Sequence, residues 1–369
     1  MRRSRLPGRL RVIPRAAVGR LAAPARTKPA HPRRILVAHH LLTGDVLMLA
    51  PLLAKLRERY PGADVAMSVR PSLMPLFSAR PYGVRAIPYD PRDAATLDAL
   101  FEAPFDLALV PGDNRYSWLA AAAGARWIVA FEGDRPAYKS WPVDEERPFP
   151  AALTAWGDIA ATLVDGPAPA PCKPGDWPAP EAAPFERPPA PYAVLHVESS
   201  QPLRHWEERK WLALATALSG KSLVPVWSAG PGGEDYLRRI DPDGRFAALG
   251  HRLDFAQLWH LVAAAALLVC PDTSVVHIGK LSFTPTVCLY GPTSAALFGP
   301  GEFWRDAPFR GVTIPDFPCR DQKTLFKREI EWVRRCERTL AECAEPRCMQ
   351  AIGVEQVLAA AASLGIHAR

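Results

Sequence analysis

Long apolar runs are absent from this sequence of 369 residues. No stretch approaches the roughly eighteen consecutive apolar residues that a membrane-spanning helix needs. The richest run, Leu258–Val269, is interrupted by His260 and leads directly into a Pro271-Asp272 turn. The N-terminus also lacks the apolar segment of a cleavable signal peptide. We therefore expect no membrane span and a cytoplasmic location.

Acidic residues are absent from the first part of the chain. Residues 1–34 contain eleven Lys or Arg and no Asp or Glu, which leaves 34 basic and 38 acidic residues in the remainder. We interpret residues 1–32 as a basic flexible arm. Two roles stay open for it: a solvated tail, or peripheral contact with the anionic inner face of the inner membrane. The remainder lacks a basic stripe interleaved with aromatic residues, so nucleic acid is not an expected partner.

Several motifs of well-known enzyme classes are missing. The sequence contains no G-x4-G-K-[ST], no H-E-x-x-H, and no G-x-G-x-x-G after its first predicted strand. Their absence argues against a P-loop nucleotide hydrolase, a zincin protease and a standard dehydrogenase. We expect no cofactor.

Paired C-x2-C motifs are also absent, although the chain has seven cysteines. Four of them fall within thirty residues: Cys319, Cys336, Cys343 and Cys348. Their spacing differs from that of common zinc sites, which makes them weak candidates for metal ligands. Free or packing cysteines are the favoured interpretation, and the metal site stays the alternative.

Short apolar runs alternate with helical patterns on both sides of a proline-rich stretch. Residues 165–191 contain ten prolines in 27 residues and read as an extended linker. We expect an N-terminal domain over 33–164 and a C-terminal domain over 192–369. The alternation predicts two doubly wound α/β domains, whose strand ends we expect to face a central cleft.

The stretch Leu267–Gly301 contains two predicted strands that each end in a loop of small residues, 271–274 and 291–293. In a parallel sheet such loops lie side by side, and free amides at a helix start attract phosphate. His277 follows on the first helical turn. The alternative is a capped, buried helix without a ligand.

Three charged residues lie in other predicted loops. Asp45 opens a helix after the first strand and is either an N-cap or a general base. Arg204 follows a strand and is either a solvated side chain or a phosphate contact. Glu234 follows the Gly-rich loop 230–233 and begins a predicted helix. Its carboxylate either contacts a ligand that rests on this loop or only complements the positive end of the helix dipole.

Four motifs follow one another along the chain: RILVAHHLLTGDVLMLAPLLAKLRERYPGADV, HVESSQPLRHWEERKWLALATAL, PDTSVVHIGKLSFTPTVCLYGPTSAALFGPG and CMQAIGVEQVLAAAASL. In this order they resemble the lipopolysaccharide heptosyltransferases of glycosyltransferase family 9. The resemblance runs from Arg34 to about Leu364. It implies a GT-B architecture of two Rossmann-like domains, with the nucleotide-sugar donor mainly in the C-terminal domain and the acceptor mainly in the N-terminal one.

The resemblance also implies inverting, metal-independent sugar transfer, typically from ADP-heptose to a lipid-linked glycan acceptor. Asp45 would be the general base, and Arg204 would contact the donor phosphates. The other residues matched to the donor site are Asp272, Thr273, Ser274, His277 and Glu234. The acceptor-side loop contains His39, His40, Thr43 and Gly44.

The sequence departs from the family in two loops. The family has an Arg and a Gly where this chain has residues 39–42, and a Gly where it has Ser274. Three alternatives therefore stay open: transfer of another nucleotide sugar to O-antigen, capsule or protein; kinship with autotransporter heptosyltransferases, which hold iron through cysteines; and a non-catalytic GT-B binding protein. The presence of Asp45 argues against the last.

Overall fold

The computed structural model of the protein describes residues 4–22, 26–221, 223–249 and 252–366. The chain divides into two compact units. Unit 1 comprises Met1–Ala170 and Thr324–Trp332, and unit 2 comprises Pro171–Lys323 and Val333–Arg369. Unit 1 therefore includes a short segment from the C-terminal half of the chain.

Unit 1 contains a parallel six-stranded sheet in the order β3-β2-β1-β4-β5-β6. All four residues of the fourth strand are buried, because helices pack on both faces of a parallel sheet of this kind. The order is that of a Rossmann-like doubly wound fold. The strands are β1 Arg34–Val37, β2 Asp64–Val69, β3 Arg85–Pro88, β4 Leu107–Val110, β5 Trp127–Phe131 and β6 Glu145–Arg147.

Among the described residues of unit 1, six α-helices accompany this sheet. They are α1 Leu6–Ala22, α2 Thr43–Leu47, α3 Ala50–Arg59, α4 Asp98–Phe101, α5 Tyr116–Ala122 and α6 Trp156–Ala161. The first of them corrects the expectation of a flexible arm, since α1 packs along α5. Ala16 is buried there, and the buried Arg20 pairs with Asp144 at 2.8 Å. Residues 1–3 and 23–25 of the arm lie outside the described residues.

Unit 2 repeats the same strand order, β9-β8-β7-β10-β11-β12, again with parallel neighbours. Its strands are β7 Tyr192–His196, β8 Val224–Ser228, β9 Ala247–Ala248, β10 Leu267–Pro271, β11 Thr286–Tyr290 and β12 Phe309–Thr313. Its helices are α7 Glu208–Ser219, α8 Glu234–Ile240, α9 Phe255–Ala263, α10 Ser274–Leu281, α11 Ala295–Phe298, α12 Arg347–Gln350 and α13 Val354–Ala362. The predicted fold class, two Rossmann-like α/β domains, is confirmed.

The proline-rich segment contains no helix or strand, as its composition predicts. It is nevertheless packed against unit 2 over much of its length. The N–H of the buried Cys172 donates to the carbonyl of Phe303 at 2.8 Å. The buried Trp177 ring stacks on Trp259, with 6.1 Å between ring centroids. The boundary between the units falls at Ala170, so most of this segment belongs to unit 2 rather than standing between two domains.

A two-stranded antiparallel hairpin, β13 Thr324–Leu325 and β14 Arg328–Glu329, belongs to unit 1. This hairpin was not predicted, because strands of two residues leave no recognisable periodicity in a sequence. Within the described residues, no helix has both the length and the apolar character needed to cross a membrane.

Candidate functional site

The strand order reverses between β1 and β4 in unit 1 and between β7 and β10 in unit 2. In open α/β sheets, ligands bind outside the carboxyl ends of the strands at such a switch point. The loops after β1 and β4 are therefore the candidate site of unit 1, and the loops after β7 and β10 are that of unit 2. Together these loops contain most of the residues singled out in the sequence.

Arg204 and Asp272 meet at the switch point of unit 2. Arg204 ends a 3-10 helix after β7, and Asp272 directly follows β10. Nη1 of Arg204 donates to the Asp272 carbonyl at 2.6 Å and lies 3.6 Å from Oδ2 of its carboxylate. A single terminal nitrogen makes both contacts, and the guanidinium has N–H groups on two further nitrogens. The side chain is 25% exposed, so a partly accessible cation is held in one place, as a phosphate contact requires.

The start of α10 adjoins this pair. Thr273 is the N-cap residue, yet its side chain makes no capping hydrogen bond. The Thr273 carbonyl accepts from the Val276 N–H at 3.2 Å, but the Thr273 side chain caps no amide of the first turn. These amides and the helix dipole favour an anion near Thr273 and Ser274. The structure places both residues at the predicted helix start, and their contact with a donor stays a prediction.

His277 lies beneath this loop and is only 3% exposed. Burial, together with the charges of Lys280 and Arg204, holds the pKa of His277 well below its ordinary value of 6.5. The imidazole is therefore neutral at physiological pH. It can offer a hydrogen bond to a ligand, but not a positive charge to a phosphate.

The second small-residue loop, 291–293, is held by residues that the sequence analysis missed. Arg320 donates from Nε to the Gly291 carbonyl at 2.7 Å and from Nη2 to the Tyr290 carbonyl at 3.1 Å. The N–H of Cys336 donates to the Pro292 carbonyl at 2.8 Å. Gly291 lies directly against Met349, where any larger side chain would overlap it. Part of the cysteine-rich segment thus supports this loop.

A third loop, 230–233, follows β8 next to the loop that bears Arg204. The carboxylate of Glu198 accepts from the Gly230 N–H at 2.8 Å, and a Cβ at Gly233 would lie only 2.6 Å from the same carboxylate. Glu198 was not predicted, although its place two residues after β7 is a usable signal. Glu234 begins α8 and is exposed.

In unit 1, Asp45 lies on the first turn of α2, in the loop region after β1, and is half-buried. His39 is buried: its N–H donates to Ser68 Oγ at 2.9 Å, and its Nδ1 accepts from the Leu41 N–H at 3.3 Å. Burial lowers the pKa of His39 to about 3. Burial and the charge of Arg70 lower the pKa of His40 to about 4. This loop is therefore lined by neutral imidazoles.

The hairpin reaches the adjacent loop, 111–114, which follows β4. The side chain of Arg328 is 3% exposed and donates to the carbonyls of Gly112, Phe131 and Glu132 at 2.9, 3.1 and 2.7 Å. It also donates to Oδ1 of Asn114 at 2.7 Å. These contacts fix the hairpin at the carboxyl edge of the sheet in unit 1.

The four clustered cysteines are free thiols. Burial raises the pKa of Cys348 to about 11 and also raises that of Cys319, which disfavours the thiolate that binds metals. Nη1 of Arg338 lies 3.6 Å from Sγ of Cys336. Across the described ranges, no group of three Cys, His, Asp or Glu side chains could hold a metal ion.

The predicted residues thus fall into two sets, one in each unit. Arg204, Asp272 and His277 come together in unit 2, with Thr273 and Ser274 on the same turn and Glu234 on a neighbouring loop. Asp45, Thr43, Gly44, His39 and His40 share the loop region after β1 in unit 1.

Comparison with known proteins gives a family match. The family model described as glycosyltransferase family 9 (heptosyltransferase) matches residues 95–327. Among curated proteins, lipopolysaccharide heptosyltransferase 1 of Pseudomonas aeruginosa is 25% identical over 320 residues, which span 80% of this chain and 88% of that protein.

Solved structures give the same fold. The glycosyl transferase family 9 protein of Veillonella parvula has a TM-score of 0.68 and 14% identity, and the match covers 92% of this chain and 98% of that one. The ADP-heptose lps heptosyltransferase II of E. coli has a TM-score of 0.66 and 17% identity, with coverage of 90% and 98%.

Proposed function

The chain belongs to glycosyltransferase family 9, and from this membership we propose that it transfers heptose from ADP-heptose to a lipopolysaccharide core or a related cell-surface glycan. The names of two relatives support this choice of donor and acceptor: lipopolysaccharide heptosyltransferase 1 and ADP-heptose lps heptosyltransferase II. Membership of the family establishes that the protein is a glycosyltransferase. The identities of the donor sugar and of the acceptor glycan are what we propose.

The contact between Arg204 and Asp272 beside the start of α10 is the observation that carries this proposal. A transferred sugar leaves behind a nucleoside diphosphate, and negative charge grows on that group as the bond to the sugar breaks. A fixed guanidinium and a helix N-terminus stabilise such charge without a metal ion. The donor therefore belongs at the switch point of unit 2.

Asp45 supplies the other half of the reaction. Its carboxylate removes the proton from an acceptor hydroxyl while that oxygen attacks the anomeric carbon of the donor sugar. The new glycosidic bond forms as the anomeric carbon–oxygen bond to the diphosphate breaks, and its electron pair leaves with ADP. A single displacement of this kind inverts the anomeric configuration.

The place of action follows from the acceptor. A lipid-linked glycan is held in a bilayer, so an enzyme that lacks a spanning helix in its described residues must meet it at the membrane surface. We place the protein in the cytoplasm, with peripheral contact at the inner face of the inner membrane.

The first test combines donor binding with replacement of the base. We expect calorimetry to show tighter binding of ADP-heptose than of ADP, UDP-sugars or GDP-sugars. In Asp45→Asn, which keeps the side-chain shape, kcat for heptose transfer should fall by roughly 10²- to 10⁴-fold because only the proton acceptor is lost. Donor affinity should stay within about twofold, since Asp45 lies in the other unit from the donor loops.

Asp64→Asn is the matched control, because Asp64 begins β2 at the amino-terminal ends of the strands. Asp45 lies near the carboxyl ends of the strands of the same sheet. Asp64→Asn should keep normal kcat. Preference for UDP- or GDP-sugars would overturn heptose as the transferred sugar. Full kcat in Asp45→Asn would remove Asp45 from the reaction.

A further inference from the structure

Helix α1 has two opposite faces of different character. Gly8, Val12, Ala16 and Arg20 recur every four residues and face unit 1. Leu6, Leu10, Pro14 and Val18 recur at the same spacing but are offset by two positions, which at 100° per residue places them on the opposite side. Leu6, Leu10 and Val18 are 58, 66 and 67% exposed.

The inner face holds the helix firmly against unit 1. A Cβ at Gly8 would lie 3.2 Å from the Pro91 carbonyl, so the backbone of α1 approaches that loop closely. Arg15 donates from Nε to the Ala122 carbonyl at 2.7 Å, and Arg20 pairs with Asp144. The outer leucines therefore belong to an anchored helix, and their exposure is a feature of the folded protein.

Exposed large apolar side chains are concentrated on unit 1. Ten such side chains are exposed among the described residues, and nine of them lie in unit 1. Five are on α1: Leu6, Leu10, Ile13, Val18 and Leu21. Two more are Tyr138, whose backbone carbonyl accepts from Nε1 of Trp118, and Trp141, whose ring stacks on Trp118. Trp118 lies on α5, the helix on which α1 packs. The exposed apolar row along α1 marks an interaction surface.

The charge of α1 and of the residue before it identifies the partner. No acidic residue occurs before Asp45, while the exposed Arg5 and Arg9 lie on α1 or next to its first residue. A helix with an apolar face, arginines and no acid is complementary to an anionic phospholipid surface, which attracts the arginines and accepts the leucines at the headgroup boundary. Tyr and Trp side chains favour the same boundary.

The beginning of α1 also lies close to the acceptor-side loop. The charge of Arg5 acts on His40 of that loop and on the rings of Tyr89 and Tyr116. His40 packs against both rings, with centroid distances of 5.9 and 6.4 Å. A bilayer that contacts α1 would therefore lie beside the loop that bears Asp45.

We infer that the outer face of α1, formed by Leu6, Leu10, Pro14 and Val18, docks unit 1 onto an anionic phospholipid bilayer. The docking itself depends only on this face and its arginines. Its consequence, delivery of a lipid-linked acceptor to the loop after β1, rests on the proposed function.

The test is flotation of the full-length protein with vesicles of phosphatidylcholine alone or with phosphatidylglycerol added. We expect binding to the mixed vesicles. We expect the double variant Leu10→Ser/Val18→Ser to lose at least about tenfold in partitioning, because buried apolar area sets interfacial binding. Leu340→Ser is the matched control, since Leu340 is 52% exposed in unit 2 and should leave binding unchanged.

Circular dichroism and the thermal unfolding midpoint establish that both variants fold, as replacement of exposed side chains predicts. Wild-type protein that fails to float with the mixed vesicles at low salt would overturn the inference. Equal flotation of the double variant would overturn it too, since the arginines alone would then suffice. A double variant that changes oligomeric state in light scattering, without a change in flotation, would assign the face to a second copy of the chain instead.

A transfer assay separates this inference from the proposed function. The double variant should transfer heptose normally to a delipidated, water-soluble acceptor but slowly to the same glycan embedded in vesicles. Loss of transfer to both acceptors would contradict a docking role. Absence of transfer by the wild-type protein would count against the proposed function while leaving the flotation result intact.

Discussion

Arg204 is held by two oxygens of one residue, the carbonyl and the carboxylate of Asp272. The 4% exposure of Asp272 makes this pair more rigid than a surface ion pair, where side-chain entropy opposes a single geometry. A preorganised cation stabilises developing charge without reorganising during the reaction. The position of Arg204 is therefore as important as its charge.

Replacement of this guanidinium tests its role. In Arg204→Gln we expect kcat/KM for ADP-heptose to fall by about 10²- to 10³-fold, with weaker donor binding and a lower kcat together, because the group contacts the diphosphate before and during bond breaking. Steady-state kinetics and calorimetry measure the two effects. Arg209→Gln is the matched control, since Arg209 is 83% exposed on α7. A normal kcat/KM in Arg204→Gln would show that the donor phosphates bind elsewhere.

Arg204, Asp272 and Asp45 could be predicted as candidate site residues from the sequence, because charged residues in loops after predicted strands are typical of ligand sites. Glu198 and Arg320 were missed because their partners, the Gly230 N–H and the Gly291 carbonyl, are backbone groups distant in the chain. His277 was visible, but its neutral state depends on burial, which a sequence does not give.

At the scale of elements, the two-residue turn of the hairpin β13–β14 has an unusual pair of residues for its backbone conformation. Phe326 and Lys327 both have positive φ, 47° and 64°, where Gly or Asn is usual. Strain of this kind persists only where the surroundings hold it. Here the Phe326 ring packs on Trp156 with 4.3 Å between centroids, and the buried Arg328 anchors the following strand.

Arg328→Met should therefore destabilise unit 1. We expect the free energy of unfolding to fall by about 2–3 kcal/mol, because the change leaves several buried carbonyls without a donor. The carboxylate of Asp134, 3.7 Å from Arg328, keeps its ion pair with Lys139 at 2.7 Å. Urea denaturation followed by tryptophan fluorescence measures this loss of stability. Lys327→Met, at a 59% exposed side chain in the same turn, should cost less than about 1 kcal/mol. Equal stabilities of the two variants would contradict an anchoring role for Arg328.

At the scale of the whole molecule, several buried histidines make the folded state sensitive to acid. Burial lowers the pKa of His39 to about 3 and that of His196 to about 4. Each imidazole gains its proton near pH 6.5 when unfolded but only at a much lower pH when folded. The unfolded state therefore binds more protons below pH 6.5, and the stability that is complete above this pH is lost as the pH falls toward 4.

His196→Asn tests this pH dependence in unit 2. An Asn amide can keep the contact that Nδ1 of His196 makes with Ser228 Oγ at 3.0 Å, but it does not titrate. Between pH 7.5 and pH 5.5 we expect the variant to lose about 1 kcal/mol less stability than wild type in urea denaturation. Identical losses in the two proteins would show that His196 does not contribute to the acid sensitivity.

Three features could be predicted from the amino-acid sequence: the two α/β halves, the order of their strands along the chain, and the loops that carry Asp45, Arg204 and Asp272. These depend on apolar periodicity and on turn residues, which are local properties of the chain. Three other features depend on long-range packing: α1 of the basic arm packs on unit 1, the proline-rich segment packs on unit 2, and Arg328 anchors the hairpin in unit 1. Each of these features depends on partners that are far away in the sequence, such as Asp144 for Arg20 and Asn114 for Arg328. Local propensity and periodicity do not predict burial against such distant partners.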